Sequence, residues 1–144
     1  MSSLIEIQIE RAIEILNLDS NDIVRLEMQQ TEQLIEVAKT RFVEGNPRAW
    51  WLSLRVPYQI AAQDTSSGAP SLMKHWAIDE PFCWLVPEVE DGSYPVYQTT
   101  VPIVEKLLSQ CRFFEYYLLN KPLDLLLIEN DHNQIIVAQY IANR

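Results

Sequence analysis

The sequence predicts an α+β fold: N-terminal helices packed on a mainly antiparallel sheet, with one further short helix. Three observations carry this. Apolar residues recur at helical spacing over residues 1–44. Over residues 49–144 the apolar runs have strand length and are punctuated by Gly, Pro, Asn and Asp. The gaps between those runs are too short for repeated crossover helices, which leaves antiparallel pairing. At 144 residues the chain fits a single domain, long enough to bury a core without metal or disulfide staples.

Leu4, Ile5, Ile9, Ala12, Ile13 and Leu16 share one helical face, with Glu6, Glu10 and Glu14 opposite, which predicts a first helix over 4–16. Asp19 to Asp22 marks a break and a fresh N-cap. A second helix follows over 23–42, burying Ile23, Leu26, Leu34, Val37, Ala38 and Phe42, until Gly45-Asn46-Pro47 stops it. The period then changes to two, with Trp50, Leu52, Leu54 and Val56 alternating with Trp51, Ser53 and Arg55, which predicts a strand ended by Pro57. Residues 63–70 are polar and small and predict a loop.

Strands are expected over 74–78, 82–86 and 94–99, separated by Asp79-Glu80-Pro81 and by Glu90-Asp91-Gly92-Ser93. Pro102, after Thr100 as a possible cap, predicts a short helix over 103–110. Three more strands, over 113–119, 123–129 and 134–140, form a meander whose last turn is Asn130-Asp131-His132-Asn133.

The formal charge is −9 and the isoelectric point near 4.6, which argues against nucleic acid and anionic membrane as partners, since affinity for phosphates is built from Lys and Arg. The same field draws in a basic protein. No apolar run approaches membrane-spanning length, and Met1 to Glu6 lacks the basic start of a signal peptide, so a soluble, cytoplasmic protein is expected. Cys83 and Cys111 lack CxxC spacing and are expected as reduced, buried thiols rather than a bridge.

The most informative stretch runs from His75 to Glu105. It carries Asp79, Glu80, Glu88, Glu90, Asp91 and Glu105 with no Lys or Arg, interleaved with Trp76, Trp84, Tyr94 and Tyr97. Acid and aromatic surface together suggest a docking face for a basic protein, with Asp79, Glu80, Glu88, Glu90 and Asp91 steering and Trp84, Tyr94 or Tyr97 anchoring. Glu129, Asp131 and His132 are secondary candidates for that face. No catalytic residue, cofactor or metal site is expected: the chain has three glycines and no phosphate loop, and its Cys and His lack zinc spacing. Two alternatives stay open. The aromatics could form a subunit interface of an acidic homo-oligomer, or His75 and His132, beside Lys74 or Lys121, could serve a phosphodiesterase-type enzyme.

Phe114-Glu115-Tyr116-Tyr117-Leu118-Leu119, followed by Leu125 to Ile128 and Glu129-Asn130-Asp131-His132-Asn133, resembles the C-terminal end of small bacterial immunity proteins of toxin systems, including contact-dependent growth inhibition. The resemblance covers only this tail. It implies a stoichiometric inhibitor of a toxin domain encoded next to it and supplies no catalytic residues; the acidic charge of the chain adds the expectation that this toxin is a basic nuclease.

Overall fold

The computed structural model describes residues 3–63, 72–76, 78–89 and 93–141. In chain order it comprises α1 (Leu4–Ile15), β1 (Val24–Arg25), α2 (Met28–Phe42), a 3-10 turn (Trp50–Leu52), β2 (Tyr58–Gln63), α3 (Leu72–His75), β3 (Phe82–Pro87), β4 (Tyr97–Thr100), α4 (Val101–Leu108), β5 (Tyr116–Leu119), β6 (Leu125–Glu129) and β7 (Gln134–Gln139). The strands form one seven-stranded sheet in the order β1-β4-β3-β5-β6-β7-β2. Every neighbouring pair is antiparallel, which bears out the mixed α+β class.

The sheet is covered on both faces, and strand periodicity decides which side chain serves which face. Leu85, Tyr116, Leu118, Leu125, Leu127 and Ile135 join Ile9 and Ala12 of α1 and Val104 and Leu107 of α4 in one core. Val86, Tyr117, Leu119, Leu126, Ile128 and Ile136 join Ile35, Ala38 and Phe42 of α2 and Trp50 in the other. The two N-terminal helices therefore lie on opposite faces. Burial on both sides explains why β5 and β6 read as unbroken apolar runs instead of alternating.

Several elements differ from expectation. Glu6, placed on the solvent side of α1 by pattern, is only 4% exposed. It completes a capping box with Ser3 and pairs with Arg25 of β1. The second helix begins at Met28 rather than residue 23, because Val24 and Arg25 are extended and pair with Gln98 and Tyr97. It stops at Phe42, before Gly45, because Val43 bridges Leu54.

The expected strand over 50–56 is instead the 3-10 turn. A strand would send Trp50 and Trp51 to opposite faces. In the turn both reach β5 and its flank: Trp50 stacks on Tyr117 at 4.3 Å, and Trp51 Nε1 donates to Glu115 at 2.8 Å. The strand that follows, Tyr58–Gln63, is a sheet edge with little burial and so lacks the alternation that marks a strand in sequence. Lys74 and His75, expected to open a strand, lie in α3 instead: Leu72 and Trp76 are buried one helical turn apart, and Glu105 accepts from Leu72 N at 2.7 Å. The expected loop 63–70 lies, apart from Gln63, outside the described residues.

Candidate acidic and aromatic docking site

Antiparallel register fixes which loops share an end of the sheet. Pro87 is paired with Tyr116, Tyr116 with Glu129, and Glu129 with Ile135. The segment after β3, the segment before β5 and the β6–β7 turn therefore converge. Glu88 N donates to Glu115 O at 2.9 Å, and Asp131 N donates to Glu115 Oε2 at 2.9 Å. Three acidic residues, Glu88, Glu115 and Asp131, thus come together from three separate stretches of chain.

Beneath them is an aromatic floor. The Trp50 and Tyr117 rings are parallel to within 6°, and Tyr94 lies 5.5 Å from Trp50. The Tyr117 hydroxyl accepts from Trp50 N at 3.1 Å and donates to Glu88 Oε2. Trp51 is held by Glu115 and meets the His132 ring edge-on at 5.1 Å. His132 is exposed and 3.6 Å from Asp131. The turn that carries it is built by Asn130, whose carboxamide oxygen accepts from His132 N and Gln134 N, while Asn133 takes a positive φ of 58°.

Burial raises the Glu88 carboxyl above its ordinary range, against the Tyr117 hydrogen bond, and the nearby Glu115 charge adds to the rise. Arg48 and Lys39 pull the other way. The Tyr117 phenol is pushed up by burial and by its bond to Glu88, so it stays protonated as a donor. Tyr94 is pushed up by burial and by the Glu88 charge. Lys39 lies 5.6 Å from the centre of the Tyr94 ring.

The expected docking residues separate. Glu88 and Tyr94 are half-buried in this cluster and Asp131 and His132 are exposed at its rim. Glu90 and Asp91 lie outside the described residues. Asp79 and Glu80 are exposed before β3, at the opposite end of the sheet, about 20 Å away by the length of that strand. Glu80 serves its own turn, its carbonyl accepting from Trp76 Nε1 and its carboxylate from Phe82 N.

Tyr97 is 1% exposed in the α1 core and offers no surface to a partner. Trp84 is half-buried on the α2 face, edge-on to Phe82 at 4.8 Å, well along β3 from Glu88. Glu129 is 3% exposed and accepts from the Tyr116 hydroxyl at 2.6 Å, so it is a core residue rather than part of a docking face. Glu115, Trp50, Trp51 and Tyr117 were missed as site residues. Glu115 and Tyr117 belong to the segment that carries the family resemblance, and Trp50-Trp51 is a conspicuous pair, but only register places them beside Glu88.

Among the described residues no group of three or more His, Cys, Asp or Glu could hold a metal ion, and no helix is long and apolar enough to cross a membrane. Cys83 and Cys111 are free, and burial raises both thiols, so neither is poised as a thiolate. His75 ends α3, which packs into the α1 and α4 core, whereas His132 meets Trp51 on the α2 side. Comparison with family models, with curated proteins and with solved structures finds no match to this chain.

Proposed function

We propose that this chain is an immunity protein: a stoichiometric inhibitor that docks a basic nuclease toxin domain on the sheet end formed by Glu88, Glu115 and Asp131. The observation that supports it most is the convergence of those carboxylates on the rigid floor of Trp50, Tyr94 and Tyr117. Fixed acids attract a basic surface and speed encounter, while large aromatic rings supply affinity at low entropic cost. A domain that cuts nucleic acid is basic because its substrate is anionic, and an inhibitor of it is expected to be acidic.

The test is calorimetric titration against the protein domain encoded beside it, at low and high salt, with a nuclease assay on the same mixtures. One-to-one binding that silences the nuclease is expected. Replacing Asp131 by Lys should slow association severalfold, whereas Glu10→Lys with Glu14→Lys on α1 should change it little. Equal effects from Asp131→Lys and the α1 pair would sink the site assignment.

A second reading, a homo-oligomeric module, draws on β2. This edge strand bears no charge from Tyr58 to Gln63 and exposes Tyr58 and Ile60, where sheet edges are usually guarded by charge. Light scattering on the purified protein decides between them: a concentration-dependent dimer broken by Ile60→Lys favours the module.

A further inference from the structure

Beside the acidic end of the sheet, the first turns of α2 and the segment leading into β4 enclose a groove of about 520 Å³. Leu26, Met28, Ile35, Tyr94 and Pro95 give it an apolar lining, with Thr31 on the helix side. Its volume is within the range that accepts a bulky side chain or small ligand, roughly 300–1,000 Å³. Met28 stands at its lip and is 78% exposed.

Two charged residues line the groove, Arg25 and Glu32. Arg25 is already engaged, its guanidinium paired with the buried Glu6 carboxylate. Glu32 is exposed, and Glu36, one helical turn on, and Glu27, the N-cap of α2, are exposed as well. Lys39 is drawn to the Tyr94 ring. The charge left on the rim is therefore acidic around an apolar floor. Tyr94 belongs both to this groove and to the floor under Glu88, so the two surfaces are continuous.

We propose that the groove is the socket for an apolar anchor of the partner: one bulky leucine, phenylalanine or tryptophan side chain carried between lysines or arginines. This rests on the docking of a basic protein at this end of the sheet. The apolar floor removes the anchor from water, and the acidic rim selects the flanking cations and repels an acidic competitor.

The probe is a hexapeptide with a central tryptophan–leucine pair between lysines, and the same peptide with both central residues replaced by alanine. They are titrated into the full chain while amide nitrogen–proton shifts are followed. The tryptophan peptide should move signals of residues 26–35 and 93–96 and bind about tenfold more tightly than the alanine peptide. Thr31→Trp, which fills the groove, should lower that affinity about tenfold; Met28→Ala, a surface change that keeps the fold, should lower it about threefold. Equal binding of the two peptides, shifts confined to another surface, or free tryptophan amide binding as tightly as the peptide would overturn the proposal.

The partner domain separates this proposal from the one it rests on. Weakening by Thr31→Trp as well as by charge reversal at Asp131 supports both. Weakening by charge reversal alone removes the socket and leaves the docking end. Weakening by neither removes both.

Discussion

Tyr116 and Glu129 face each other across β5 and β6, and the phenol donates to a carboxylate that is 3% exposed. Tyr116→Phe keeps the ring and removes that donor, leaving a buried carboxylate short of a partner, so it should cost about 2–3 kcal/mol in denaturant unfolding. Glu129→Gln, which keeps an acceptor, should cost about 1 kcal/mol or less. Glu88 makes the contrasting case. Its carboxyl is held above the ordinary value of about 4.5, chiefly by burial. The folded state therefore favours the protonated form: the stability this provides is complete below the ordinary value and is lost as pH rises through the raised one. Glu88→Gln keeps an acceptor for Tyr117 but never ionises, so its melting temperature should gain on that of the wild type as pH rises above the ordinary carboxyl value of about 4.5. Parallel curves would refute it. Neither pair was legible in the sequence, where Glu129 and Glu88 read as surface residues because local pattern does not say that both faces of a strand are covered.

At the level of elements, α1 and α2 differ in how they begin and end. The first is closed at its N-terminus by the Ser3 and Glu6 capping box. At its other end Asn17 has a φ of 57°, with Asn17 N donating to Glu14 O and Leu18 N to Ile13 O, the Schellman pattern. The second has Glu27 at the N-cap with extended backbone but no side-chain hydrogen bond, its carboxylate standing on one methylene too many to turn back efficiently. Glu27→Ser should therefore stabilise the protein by about 0.5–1 kcal/mol, read as a rise in melting temperature, and an unchanged or lower value would show that the cap amides are already satisfied. Elements that repeat over several turns, or that are bounded by Pro and Asn, were readable from sequence: α1, the body of α2, β3, α4 and the β5–β7 meander. The failures were short or peripheral. Trp50–Leu52 and Leu72–His75 take helical turns because Tyr117, Glu115 and Glu105, distant in sequence, hold them, and β2 is a strand only because β7 offers it an edge.

Over the whole molecule, a net charge of −9 gives a long-range field that attracts cationic surfaces and that salt screens over about 8–10 Å at ordinary ionic strength. The association rate with a basic partner should therefore fall steeply with salt for the wild type and less steeply after charge reversal at Asp131. A flat salt dependence in the wild type, measured by stopped flow, would remove electrostatic steering. Charge and its sign, the α+β class, the order of the main elements and the acidic bias from His75 to Glu105 were determined by the sequence alone, because composition and local periodicity are local properties of a chain. Which acids act together was decided only by the tertiary structure. The extended length of β3 sets Asp79 and Glu80 at the other end of the sheet from Glu88, and antiparallel register brings Glu115 and Asp131, from the far side of α4, to stand beside Glu88. Strand pairing sets neighbours by alignment across the sheet rather than by distance along the chain, and so the docking surface exists only once the sheet has formed.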